Sequence, residues 1–157
     1  MLKHPDSTLD HLTKALRKHI SKLPFRKTAP LTLEAWNVKG EPVDHDTAMK
    51  AVYEPMKVGD SWGRLWDTTW FRITGEVPED FAGEEVIIRF DIGGRGGEGF
   101  TCEGLVWQDG TPISAINVHR SDIAVANPAK GGEKIETYVE AAANNTPGVS
   151  DASNGLL

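Results

Sequence analysis

The side chains in this sequence that could do chemistry are numerous, but their spacing narrows what they can do. The histidines fall at positions 4, 11, 19, 45 and 119. No two of them stand three or four apart, the spacing that puts a pair of imidazoles on one helical face toward a metal. His45 lies between Asp44 and Asp46, but consecutive side chains of an extended segment point apart, so the histidines read as solvated loop residues. The acids Glu84, Glu85, Asp91, Glu98 and Glu103 could supply the two carboxylates of glycoside hydrolysis, held about 5 to 9.5 Å apart across a cleft. Nothing in their spacing sets two face to face, and they read as surface charges. The serines lack a nucleophile elbow, and Cys102, on an extended stretch with no histidine partner in view, reads as a packed thiol. The run GGRGGEGF, Gly93 to Phe100, resembles a phosphate cradle only superficially. A dinucleotide loop must open a helix and a P-loop must close on Lys-Ser or Lys-Thr. Here a strand pattern follows, so the run is expected to be a long connection between strands.

The aromatic residues carry more. Trp62, Trp66, Trp70 and Phe71 lie within ten positions, and Trp107 follows. Indole rings stack on the C–H faces of sugars; they also fill the space between packed sheets. Trp70 and Trp107 are expected in the core. Trp62 and Trp66, in a glycine-containing loop, face either a ligand or a neighbouring domain. For a sugar the polar partners would be Arg64, Asp67 and Glu103.

Positioning these residues falls to the stretch from Asp67 to Gly94. Phe71, Ile73, Gly75 and Val77 alternate with Trp70, Arg72, Thr74 and Glu76, and Val86, Ile88, Phe90 and Ile92 repeat the pattern. This is the period of strands with one buried face. Pro78, Glu79, Asp80 and Gly83 break it, which predicts a turn and a long antiparallel pair needing a second sheet as cover. Before this pair, Asp6 or Ser7 can cap a helix to about Leu23 with an apolar stripe Leu9, Leu12, Leu16, Ile20 and Leu23, ended by Pro24. A strand is expected over 31–38, then an irregular segment over 39–67 with room for a helical turn or two at 46–53. After the pair come strands over 100–107 and 111–116 about an Asp109-Gly110 turn, a short one at 121–125 and a last one over 133–143. The expected fold is mainly β: a jelly-roll-like β-sandwich, galactose-binding-domain-like, with an N-terminal α-helix. Its divisions are a helix and connector over 1–27, the sandwich over 28–143, and a Asn/Ser/Gly/Pro-rich linker over 144–157 toward a further domain.

Composition bounds the rest. The chain has 157 residues and a net charge of -6, no apolar run near the ~20 residues of a membrane span, and no signal-peptide pattern. One cysteine excludes an internal disulfide and points to a reducing, cytoplasmic compartment. Residues 1–27 hold seven Lys and Arg against Asp6 and Asp10, a charge of +5 that leaves -11 on the remainder. A body of that sign repels phosphates, which argues against nucleic acid as a partner.

MLKHPDSTLDHLTKALRKHISKL, APLTLEAW, YEPMKVGDSWGRLWDTTWFRITGEVPEDFAGEEVIIRFDIGG, GFTCEGLVWQDGTPI and YVEAAANNTPG, in that order, resemble the N-terminal domain of the α-mannosidases of glycoside hydrolase family 38, of the cytoplasmic and vacuolar type found in bacteria and fungi. The specific parts are the block from Trp62 to Pro78 and the run from Glu103 to Trp107. The resemblance implies that hydrolysis of terminal α-mannosides, with an Asp nucleophile and a divalent metal, usually zinc, belongs to a following catalytic domain. It carries no catalytic or metal residue onto positions 1–157, and a catalytic barrel of ~250 residues does not fit in this length. The fragment is thus expected to be inactive and without a cofactor of its own. Its expected partners are the catalytic domain of the same chain, a homo-oligomer, and, in the longer enzyme, a mannose-containing glycan.

Overall fold

Two layers of antiparallel strands face each other across an apolar interior, in a computed structural model that describes residues 8–10, 13–14, 25–93 and 102–144. In chain order the elements are β1 (Thr32–Asn37), a single-turn helix α1 (His45–Ala48), β2 (Glu54–Met56), β3 (Thr68–Glu76), a 3-10 turn (Glu79–Phe81), β4 (Val86–Arg89), β5 (Glu103–Gln108), β6 (Thr111–Ile116), β7 (Asp122–Ala126) and β8 (Lys134–Ala142). The larger layer has six strands in the order β2-β1-β3-β8-β5-β6, and the smaller pairs β4 with β7.

The two halves of the stretch from Asp67 to Gly94 do form strands, but they do not pair with each other as the sequence pattern suggested. Strand β3 lies between β1 and β8, while β4 pairs with β7. Pro78 and the 3-10 turn carry the chain from one layer to the other. That crossing is held by backbone bonds from Val77 N to Glu133 O (2.9 Å), Gly132 N to Val77 O (2.8 Å), Gly83 N to Ala129 O (2.8 Å) and Ala129 N to Glu84 O (2.8 Å). Each strand is apolar on one face. Placing them in opposite layers lets those faces cover one another, whereas side-by-side pairing leaves both in need of a third partner.

The interior follows the period-2 patterns. Phe71, Ile73, Val106, Val139 and Ala141 come from the larger layer, and Val86 and Ile88 from the smaller. In β8 Ile135, Thr137, Val139 and Ala141 are all buried, as their spacing predicts. Burying each of the large apolar side chains contributes roughly 1.5–3 kcal/mol. Asp109 and Gly110 have φ of 49° and 73°, the paired left-handed residues that a two-residue hairpin turn requires.

The outer face of the larger layer is not polar throughout. Trp70, opposite in facing to Phe71, is fully buried (0% exposed). Residues 38–53 fold over it, bringing Val38, Val43, Ala48, Met49 and Tyr53 against Trp36, Trp70, Trp107 and Tyr138. The middle of β3 is therefore covered on both sides, and the expectation of a single buried face fails there. Asp44 starts α1 by accepting a bond from Thr47 N at 2.8 Å. The Thr47 hydroxyl and amide hold its carboxyl below the usual range. The irregular segment expected before β3 thus contains α1 and β2.

At the N-terminus Thr8, Leu9, Asp10, Thr13 and Lys14 are helical, with an i,i+4 ion pair from Lys14 to Asp10 at 2.7 Å. The remainder of the expected helix, residues 94–101 of the glycine-rich connection, and the expected linker beyond Asn144 lie outside the described residues.

Candidate interdomain surface

The loop entering β3 sends its two tryptophans in opposite directions. Trp62 is 8% exposed. Its indole N–H donates to Ile92 O at 3.1 Å, and its ring meets Phe71 edge-on, with centroids 5.3 Å apart. It sits between the layers, packed in the interior cluster with Phe71 and Val139. Trp66 is 54% exposed, with φ of 72°, a left-handed backbone that costs a non-glycine residue roughly 1–2 kcal/mol. The surroundings hold it there. Asp67 accepts from Arg64 N at 3.0 Å through its carboxylate and donates its own amide to Arg64 O at 2.8 Å. Trp66 N then donates to Ala143 O at 2.9 Å, and Ala143 N to Asp67 O at 2.9 Å.

These bonds fasten the loop to the C-terminal end of β8. Glu103 reaches the same sheet end by register, since Ala142 pairs with Thr68 on one side and Glu103 on the other. The structure thus gathers Arg64, Trp66, Asp67 and Glu103 at one end of the larger layer and places Trp62 inward, between the layers. Arg64 and Glu103 are exposed and Asp67 half-buried. What joins Arg64 to Asp67 is backbone hydrogen bonding, and Arg64 itself is exposed. The corner combines an exposed aromatic ring with an exposed arginine in one loop, at the place where β8 ends.

Two further features escaped the sequence. His45 is no solvated loop residue: its ring stacks on Trp107 with centroids 4.9 Å apart, and meets Trp70 edge-on at 6.1 Å. The signal available was Asp44 three residues before Thr47, a helix start that turns the intervening residue toward the sheet. Beside this stack Glu140 pairs in register with Trp70. Burial raises its pKa, and the Trp107 indole opposes that rise. The indole N–H groups of Trp70 and Trp107 are buried without a partner in good hydrogen-bonding geometry.

The second feature is a groove of about 440 Å³ between the layers, walled by Leu31, Met56, Trp62, Phe71, Ile88 and Phe90 among others. No sequence period announces a gap between sheets. Among the described residues no three His, Cys, Asp or Glu side chains converge as a metal site would require, and no helix there is long and apolar enough to cross a membrane.

A family model described as alpha-mannosidase, jelly roll domain, matches residues 29–156. Curated relatives include alpha-mannosidase G of Dictyostelium discoideum, 28% identical over 169 residues that take in 100% of this chain and 15% of the relative. Alpha-mannosidase 2C1 of Homo sapiens is 27% identical over 162 residues, covering 97% of this chain and 15% of the relative. The chain therefore spans about one-seventh of the length of these curated relatives.

Proposed function

Because the chain belongs to the family of alpha-mannosidase jelly-roll domains, we propose that it is a non-catalytic part of a larger α-mannosidase, and that its task is to pack against the catalytic domain of the same polypeptide. Bond cleavage and the divalent metal that supports it belong, on this reading, to that other domain. The observation that carries the proposal is Trp66. A large ring is held outward on a strained backbone by bonds to Ala143, beside the point where the last strand ends, and a neighbouring domain of the same chain would cover it there. Self-association of the longer protein would draw on the same kind of surface. The unpaired, buried Cys102 supports a reducing, cytoplasmic setting.

The 157-residue chain should show no turnover of an aryl α-mannoside, and turnover that persists after repurification would overturn the reading. In a polypeptide carrying the catalytic domain, Trp66→Ala should lower the thermal midpoint by more than it does in the isolated chain. Equal shifts would remove Trp66 from the interface.

A second reading, sugar binding by the sandwich itself, is favoured by the exposed Trp66 in the loop that also carries the exposed Arg64, while Trp62 lies between the layers. Titration with mannose and mannobiose, followed by tryptophan emission, separates the two readings. Saturable quenching that disappears in Trp66→Ala supports the sugar site, and an unchanged spectrum at millimolar sugar leaves the packing role.

A further inference from the structure

Strand β4 has β7 as its one ladder partner among the described residues, so its other side is a sheet edge. Val86, Ile87 and Ile88 follow one another along it, a β-branched run well suited to extended backbone. An edge of this composition is a template for unwanted strand pairing unless something blunts or covers it. The groove between the layers reaches this edge. Ile87 and Ile88 both line it, although consecutive residues of a strand point to opposite faces.

Residues 25–27 run beside that edge. Phe25 lines the groove, and its ring lies under the Arg89 guanidinium, 4.3 Å from centroid to cation. Val86 and Ile88 take the inner face of β4, which turns Arg89 to the outer face, where it grips Asp122 of β7 at 2.7 and 2.6 Å. The Phe25 ring therefore touches both the inner space and an outward side chain of the smaller layer. Arg26 faces Glu84 at 3.8 Å, and Lys27 reaches the Asp80 carboxylate at 3.1 Å. Lys27 also donates to the Asp80 carbonyl and stands 5.7 Å from the Phe81 ring centroid. The contacts thus extend from the last residue of β4 back to the turn before its first. Beyond them Thr28, Ala29, Pro30 and Leu31 line the groove and lead into β1 of the larger layer.

We infer that Phe25, Arg26 and Lys27 are a releasable guard strap over the β4 edge, closing it to the addition of a further strand. The strap is releasable because its contacts are individually weak. Arg26, Lys27, Asp80 and Glu84 are all exposed, and exposed ion pairs contribute little each; a cation over a ring at such a site adds a comparable amount. Reversing the charge of the strap sets it against Glu84 and Asp80 and lifts it from the edge. In a purified sample the only extended segment then available to pair with β4 belongs to a second copy of this chain. The inference is independent of the packing role proposed above, since it concerns other residues and contacts within the sandwich.

The test combines sedimentation velocity with hydrogen–deuterium exchange on the 157-residue chain. In the double reversal Arg26→Glu with Lys27→Glu, amides of Val86–Arg89 should exchange about tenfold faster at high dilution. On concentration the variant should associate, and those same amides should regain protection. Adding Asp80→Lys and Glu84→Lys restores both pairs with their signs exchanged, and should return slow exchange and the parent's sedimentation. Far-UV dichroism checks that the sheets persist. Should the double reversal lose them, Phe25→Leu, which removes only the ring under Arg89, is read by the same two measurements and decides. Unchanged exchange and sedimentation in the altered chain would overturn the inference. So would association that the restored pairs fail to reverse, or a parent chain whose Val86–Arg89 amides gain protection only as it associates, since that edge would then be open already.

Discussion

Replacing Trp62 measures directly whether the indole belongs to the interior or to a ligand. The ring is 8% exposed, donates to Ile92 O at 3.1 Å and meets Phe71 edge-on at 5.3 Å. Truncating a buried Trp to Ala costs about 3–5 kcal/mol when the hole cannot collapse. Trp62 already borders the groove, so part of its surface contacts no neighbour, and the loss should fall near the lower end, about 3 kcal/mol. At about 2–4 °C per kcal/mol for a domain of this size, the midpoint drops by about 6–12 °C. Trp62→Phe retains most of the ring contact but leaves the Ile92 carbonyl without its donor, a loss of about 1–2 kcal/mol. Urea unfolding should be followed by far-UV dichroism, because the substitution removes one of the emitting rings. A midpoint shift with unchanged slope identifies a stability effect. If Trp62→Ala loses less than about 1 kcal/mol, the ring is not part of the core, and its assignment to the interior is refuted.

Three other outcomes follow from single positions. Gly104 lies where an added Cβ would sit 2.9 Å from Ile116 Cγ1 and 3.0 Å from Val139 Cγ1, so Gly104→Val should cost about 1–3 kcal/mol by overpacking; adding Ile116→Ala should cost less than the two losses summed, and strict additivity in urea melts would sink the clash argument. Burial raises the Glu140 pKa against the opposing Trp107 indole, so ionisation is harder folded than unfolded, and this group's contribution to stability declines as pH rises from the unfolded value of ~4.3 through the folded one. Glu140→Gln should therefore be the more stable chain at pH 7 and equal to the parent at pH 3.5, and a weaker variant at pH 7 would count against it. The Cys102 thiol, pushed up to about 11 by burial, should resist alkylation at pH 8 until urea unfolds the chain. Its stabilising share is present below the unfolded value of ~8.5 and is lost as pH rises through about 11. Rapid alkylation of the native chain would contradict the burial.

The division between what the residues alone announce and what needs three dimensions follows from range. Strand positions, the Asp109-Gly110 turn and the buried row Ile135, Thr137, Val139 and Ala141 are written locally, because the pleat fixes side-chain direction every second residue whatever the strand pairs with. The mainly β class and the family resemblance rest on the same local record. Which strands pair is not local: β3 and β4 are both apolar on one face, and only the crossing at Pro78 to Phe81, locked by Ala129, Gly132 and Glu133, puts them in opposite layers. Trp62 and Trp66 show the limit most directly. Four residues apart in one loop, they have similar sequence surroundings, and it is the backbone bonds joining Trp66 and Asp67 to Ala143, 77 and 76 residues away, that turn one ring inward and the other out. His45 on Trp107 and the groove between the layers likewise arise from segments that meet only after folding, and a pattern of residue types carries no record of the space left between them.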